Sequence, residues 1–205
     1  MALRLNGSSS GYVELEVPAD AGSHTLTLPD GGGTSGQYLQ TNGSGTLSWQ
    51  TLTTGSILQV VQAYKNDVFS TSTLTTWEDI TGLSVAITPS ATTSEVLVLV
   101  DVRLGFSAGE LAQLRLRRGS TTVGSSTIGT TGNGFSHTDS DAYSAQTRVM
   151  ATNTMTFLDS PSTTASTTYQ VQMWKDGSNT AYVNRRGINA GHGACSSITL
   201  LEVAA

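Results

Sequence analysis

Cysteine is almost missing from this 205-residue chain. Cys195 stands alone, which excludes an intrachain disulfide and leaves stability to burial and association. As a small residue just ahead of the last apolar run, it is expected to be buried. Charge is also scarce: Asp, Glu, Lys and Arg make up 12% of the residues, about half the usual ~25%. Ser, Thr and Gly supply the polar surface instead. Ten Lys and Arg against fifteen Asp and Glu leave a net charge of −5, too few cations to neutralise a phosphate backbone, so nucleic acid is excluded as a partner. No apolar run approaches the roughly 20 residues of a membrane span, and no membrane insertion is expected. Residues 1–11 hold one Arg and no apolar h-region, so no cleaved export signal is expected either. Apart from one turn near residues 108–111, no segment keeps a helical period.

What is present is a series of short strands separated by turn residues. Between residues 26 and 49, LTLPDGGGTSGQYLQTNGSGTLSW, three very short apolar runs alternate with glycine-rich turns: Leu26 with Leu28, Tyr38 with Leu39, and Leu47 with Trp49. None can build a core alone. Their apolar sides need partners, and further copies of the same segment are the simplest source, as in a fibrous shaft or a collar between subunits. Upstream, Tyr12-Val13-Glu14-Leu15-Glu16-Val17 alternates strictly, with Val13, Leu15 and Val17 on one face. The composition shifts near residues 51–56, dividing a glycine-rich segment, 1–55, from a compact β-domain, 56–205.

In that domain strands are expected at 57–64, 77–80, 83–87, 94–104, 111–118, 121–128, 144–157, 168–174, 180–184 and 197–203. The run Glu95-Val96-Leu97-Val98-Leu99-Val100-Asp101-Val102 is nearly all apolar. It is expected at the centre of the core, covered on both faces, with Leu99 fully buried. Leu114-Arg115-Leu116-Arg117 and Tyr169-Gln170-Val171-Gln172-Met173-Trp174 alternate, so each should present one face to solvent or to a neighbouring subunit. About ten strands with short turns predict an all-β fold: a glycine-rich shaft or attachment segment followed by a two-sheet sandwich of jelly-roll topology.

The residues that carry a resemblance are Gly11-Tyr12-Val13-Glu14-Leu15, Ala21-Gly22, Thr25-Leu26-Thr27-Leu28-Pro29, Gly33-Thr34-Ser35-Gly36-Gln37-Tyr38-Leu39 and Gly43-Ser44-Gly45-Thr46-Leu47-Ser48-Trp49. Together they resemble a segment recurrent in surface proteins of tailed bacteriophages, cyanophages especially. The later part, with Ile87-Thr88-Pro89-Ser90-Ala91-Thr92-Thr93-Ser94 and Ser197-Ile198-Thr199-Leu200-Leu201-Glu202-Val203, is similar to the jelly-roll head that follows such segments and to the trimeric C1q and tumour-necrosis-factor jelly rolls. The resemblance implies a virion structural protein: a homotrimeric capsid decoration or cement protein, or a short fibre, bound to major capsid or tail proteins through its N-terminal segment. It would be made in the host cytoplasm and end on the virion surface. The alternative is a tail-fibre module that binds a host surface glycan.

No catalytic, cofactor-binding or metal site is expected, and the chain is read as a non-enzyme. His24, His137 and His192 are far apart and lack a helical metal spacing. Asp139 and Asp141 are expected in an exposed polar loop, short of the oxygens a Ca²⁺ site needs. Glu14 and Glu16 share a strand face at a spacing that glycosidases tolerate, but a thin shaft offers no cleft to retune a carboxyl group. No Gly-x-Ser-x-Gly elbow occurs, and Gly31-Gly32-Gly33 precedes no helix. Arg115, Arg117, Arg118, Arg185 and Arg186 either pair with carboxylates across a subunit contact or meet an anionic glycan or virion surface. Trp77, Trp174, Tyr143, Tyr169 and Tyr182 either fill core and contact positions or stack on sugars.

Overall fold

The computed structural model describes residues 3–6, 8–15, 19–20, 22–51, 57–108, 111–126, 133–139 and 148–204. The chain divides into two compact units, Met1–Thr53 and Thr54–Ala205.

In the first unit β1 (Leu3–Asn6) pairs with β2 (Tyr12–Leu15), and β3 (Gln37–Thr41) with β4 (Leu47–Thr51), both antiparallel. The second hairpin is closed by Asn42, whose Oδ1 accepts from the backbone N–H groups of Ser44 and Thr46. Trp49 is its anchor: the indole N–H donates to the Gly31 carbonyl at 3.0 Å. A Cβ on Gly33, which lies at φ +69°, would sit 2.6 Å from the Trp49 ring, so only glycine lets the chain close over the indole. The short strand expected at 26–28 reduces to one parallel bridge, Thr27 to Thr46. Leu26 and Leu28 are 67% and 69% exposed. Residues 16 and 17 of the expected 12–17 strand lie outside the described residues.

The second unit is an all-β sandwich. Its strands are β5 (Ile57–Lys65), β6 (Phe69–Thr71), β7 (Glu78–Ile87), β8 (Glu95–Phe106), β9 (Leu111–Arg118), β10 (Thr121–Val123), β11 (Ser136–Asp139), β12 (Ala151–Asp159), β13 (Thr167–Asp176), β14 (Ala181–Val183) and β15 (Ser196–Val203). In the first sheet β12 flanks one side of β8, while β15 and then β14 occupy the other; β5 pairs β15 and β6 pairs β14. In the second, β13 lies between β7 and β9, and β10 and β11 share the far side of β9. The pairs β5/β6, β10/β11 and β14/β15 thus act as single broken strands. Counted so, the orders are first-eighth-third-sixth and second-seventh-fourth-fifth, all neighbours antiparallel, which is the jelly-roll connectivity.

The core is the seam between these sheets. Val96, Val98, Val100, Val102, Leu104, Ile198 and Leu200 from the first meet Ile80, Leu83, Leu114, Leu116, Val171 and Met173 from the second, all fully or almost fully buried. β8 alternates instead of being covered on both faces: its even-numbered residues from Val96 to Leu104 point inward, and Leu99 is 38% exposed. The expectation of a buried Leu99 is therefore corrected. Among the described residues of this unit no third layer covers the outer side, and the apolar odd positions lie on it.

The expected strands 77–80 and 83–87 are one strand, β7, carrying a bulge near Gly82 at φ +88°. Residues 148–150 precede β12 outside any strand, and 144–147 lie outside the described residues, as do 109–110 of the expected turn. β11 occupies part of the segment expected to be a polar loop, so Asp139 is a strand residue, opposite Leu111. Cys195 is exposed, in correction of the expected burial. It sits one position before β15, whose first inward residue is Ser196.

Candidate interaction faces

The outer faces of the two sheets differ in chemistry because the residues that alternate with the core differ. On the β8 sheet, register sets Leu158, Leu97, Leu201 and Val60 side by side across four strands. Leu99 and Leu58 flank this row, and Val60 is 57% exposed. The next two rows are Thr156, Leu99, Thr199 and Gln62, then Thr154, Asp101, Ser197 and Tyr64. Among the described residues, the ionic contact on these rows is between neighbours on β8: Arg103 Nη2 donates to Asp101 Oδ2 at 2.9 Å. Asp101 Oδ1 and Arg103 Nη1 are shielded from water and have no hydrogen-bond partner among the described residues. At the edge of this face the neighbouring Cys195 thiol raises the pKa of the Tyr64 phenol.

The β13 sheet presents a polar outer face. Two adjacent rows cross it: Asp79, Gln172 and Arg115, and Ser84, Gln170, Arg117 and Thr122. Arg115 Nε donates to Gln172 Oε1 at 2.7 Å, and Gln172 Nε2 donates to Asp79 Oδ1 at 2.6 Å. The Arg115 guanidinium also lies 4.3 Å from the Trp77 ring centre. Burial, then the positive charge of Arg117, lowers the Arg115 pKa. Arg117 donates through Nη2 to the Ser120 carbonyl. Between the rows and the turn at Gly119 is a hollow of about 200 Å³, lined by Asp79, Arg117, Gly119, Thr168, Gln170 and Gln172.

The remaining arginines find partners within the chain. Arg118 reaches the end of the sandwich, where Nη1 meets both oxygens of buried Asp159 at 2.9 and 2.8 Å. The Tyr169 hydroxyl donates to the same carboxylate at 2.6 Å, and burial with this bond pushes its pKa far above the ordinary phenol value. This triad locks the end of β9 to β12 and β13. Arg185 stacks over Tyr182 at 4.1 Å, and Arg186 Nε donates to Asn189 Oδ1 at 3.0 Å. Tyr169 and Trp174 are buried.

The remaining candidates do not converge. Among the described residues no three His, Cys, Asp or Glu side chains group as metal ligands. His137 lies in β11, and His192 in the exposed turn before Gly193. Glu14 lies in β2; Glu16, Asp141 and Tyr143 lie outside the described residues. The two face-forming rows on the β13 sheet were visible in the sequence as alternation. Their partner Asp79 was not, because the β7 bulge breaks the period that would have placed it.

No family model matches the chain, and no curated protein matches it significantly. Solved structures of low similarity include that of the infectious bursal disease virus Gx strain, 13% identical over 77% of this chain and 43% of that one, with a TM-score of 0.34. A D431N mutant VP2 protein of infectious bursal disease virus, from derived T=1 particles, is 13% identical over 98% of this chain and 44% of that one, at 0.35. The chain spans less than half the length of these proteins.

Proposed function

We propose that the protein is a non-catalytic structural component of a bacteriophage virion, a homotrimer that decorates or cements the particle or forms a short fibre. The observation that carries self-association is the uncovered apolar row of Leu158, Leu97, Leu201 and Val60 on the β8 sheet. In a three-fold assembly residues near the axis meet their own copies, so a face carrying net charge placed there would repel itself. The Asp101–Arg103 pair leaves these rows neutral. Covering the apolar area contributes roughly 25 cal/mol per Å² removed from water. The virion setting is supported by the resemblance of the N-terminal turns to phage surface segments and by the jelly-roll connectivity, an architecture frequent in capsid proteins.

Sedimentation of the full-length chain and of a Val60→Glu/Leu99→Glu variant tests association. Both positions are exposed in the single chain, so the variant should fold normally and sediment as a monomer while the parent is a trimer. A parent that is monomeric at micromolar concentration would overturn the reading. Microscopy of intact particles separates its two forms: icosahedrally arranged copies indicate cement, and a few copies at one vertex a fibre.

A further inference from the structure

The polar outer face of the β13 sheet has no part in that association, and its chemistry is that of a ligand platform. We propose that the hollow bounded by Asp79, Arg117, Gly119, Thr168, Gln170 and Gln172 binds one carboxylate-bearing sugar unit of an acidic polysaccharide. The inference stands independently of the oligomeric state.

Three features of the face point to this ligand. The first is preorganisation. The chain of hydrogen bonds from Arg115 through Gln172 to Asp79, with Arg115 held over Trp77, holds these polar groups in place before any ligand arrives. Fixed amide, carboxylate and guanidinium groups suit the vicinal hydroxyls of a sugar, because they lose little side-chain entropy on binding.

The second is charge. On the two rows that border the hollow, Arg115 and Arg117 stand with one carboxylate, Asp79, while Asp139 and Asp176 lie at the far end of the same face, opposite Leu111. The mutual repulsion of the two guanidinium groups is felt at Arg115, and an anion beside Arg117 would relieve it. Arg117 Nε is screened from water and has no hydrogen-bond partner among the described residues. A guanidinium held by one backbone carbonyl, with a donor unmet, gains two charge-assisted bonds by turning its Nε edge to a carboxylate.

The third is size and lining. At about 200 Å³ the hollow is smaller than the roughly 300 Å³ lower bound of sites that engulf a drug-sized molecule. It suits a single ring lying on the sheet. Its walls are carboxylate, guanidinium, hydroxyl, amide and backbone, with no apolar residue among the lining to receive a peptide's hydrophobic anchor. Asp79 uses only Oδ1 toward Gln172 among the described residues, and Oδ2 can accept from a sugar hydroxyl. Thr168, Gln170 and Asp79 would then read hydroxyls while Arg117 holds the acid.

Titration calorimetry of the full-length protein with alginate oligosaccharides, neutral dextran and dextran sulfate tests the proposal. Alginate fragments should bind and dextran should not. Arg117→Gln should weaken alginate binding by about tenfold or more, the scale of one lost charge-assisted pair. Gln170→Ala should weaken it severalfold, and Arg186→Gln, remote on the 185–193 segment, should leave it unchanged. Should Arg117→Gln fail to fold, Gln170→Ala with unchanged melting still decides the case. Equal binding of dextran sulfate, insensitive to Arg117, would mean unselective charge attraction and overturn the site. So would loss of the oligomer in Arg117→Gln, which would make the face a contact for acidic side chains of a second copy. Absence of alginate binding by the parent chain would equally refute it.

Discussion

Glu202 shows how one side chain in this charge-poor protein acquires structural weight. It is almost fully buried on β15, yet three donors converge on its carboxylate at 2.6 Å: Gln59 Nε2 from β5, and the backbone N–H and hydroxyl of Ser90. Burial alone would raise its pKa, but these hydrogen bonds outweigh desolvation and hold it at about 2, below the usual 4.5. Because the folded value is depressed, the stabilisation is fully present above pH 4.5 and is lost as pH falls from there toward 2. Glu202→Gln should therefore be less stable than the parent at pH 7 and converge with it near pH 2. Thermal unfolding of both chains across pH 2–7 measures this, and parallel curves would show that Glu202 carries no such coupling. No feature of the sequence marked this residue, since Ser90 is 112 positions away and the contact exists only once the strands are ordered.

At the scale of elements, the strands that were legible are those whose inward residues are apolar. β9 is Leu111–Arg118 as the alternation predicts, with Leu114 and Leu116 buried. β8 was found but its outer face misjudged, since a run of Val and Leu carries no sign of which side lacks a cover. β11 escaped notice because its inward groups are hydroxyls: Ser136 and Thr138 both donate to Oδ1 of buried Asn153 on β12. The break between β14 and β15 was legible, since separate strands were expected at 180–184 and 197–203, but its organising residue, Asn184, was not. At φ +67° it turns the chain out of β14, its Nδ2 donates to the Lys65 and Asp67 carbonyls at 2.9 and 3.0 Å, and its Oδ1 accepts from Ser196 Oγ at 2.6 Å. Asn184→Ala strands two carbonyls and a buried hydroxyl and places a Cβ residue without a local bond in the left-handed region. It should cost about 3–4 kcal/mol in urea unfolding. Asn184→Gly should recover about 1 kcal/mol of that loss by relieving the backbone. Equal losses would show that the lost hydrogen bonds account for the whole effect.

For the whole molecule, the two units solve the problem of burial differently. The jelly roll closes its own core, whereas among the described residues of the first unit several apolar side chains stay uncovered: Leu26 and Leu28 stand out beside one bridge, and Tyr38 and Leu39 are exposed on β3. Short strands that bury so little of themselves gain order by adding to a surface that already has it, through backbone pairing and apolar contact. Attachment to the particle should therefore depend on the first unit, and the outer faces of the jelly roll should be dispensable for it. Particles lacking the protein, mixed with the full-length chain, with Leu26→Ser/Leu28→Ser and with Arg117→Gln, give the comparison by co-sedimentation. The Leu26/Leu28 variant should lose particle binding by about a hundredfold, since two apolar side chains removed from contact correspond to about 3 kcal/mol, while its melting temperature stays that of the parent because both residues are exposed before binding. Arg117→Gln should bind particles normally. Retention by the Leu26/Leu28 variant together with loss in Arg117→Gln would reverse the polarity, setting the jelly roll against the particle and turning the glycine-rich hairpins outward.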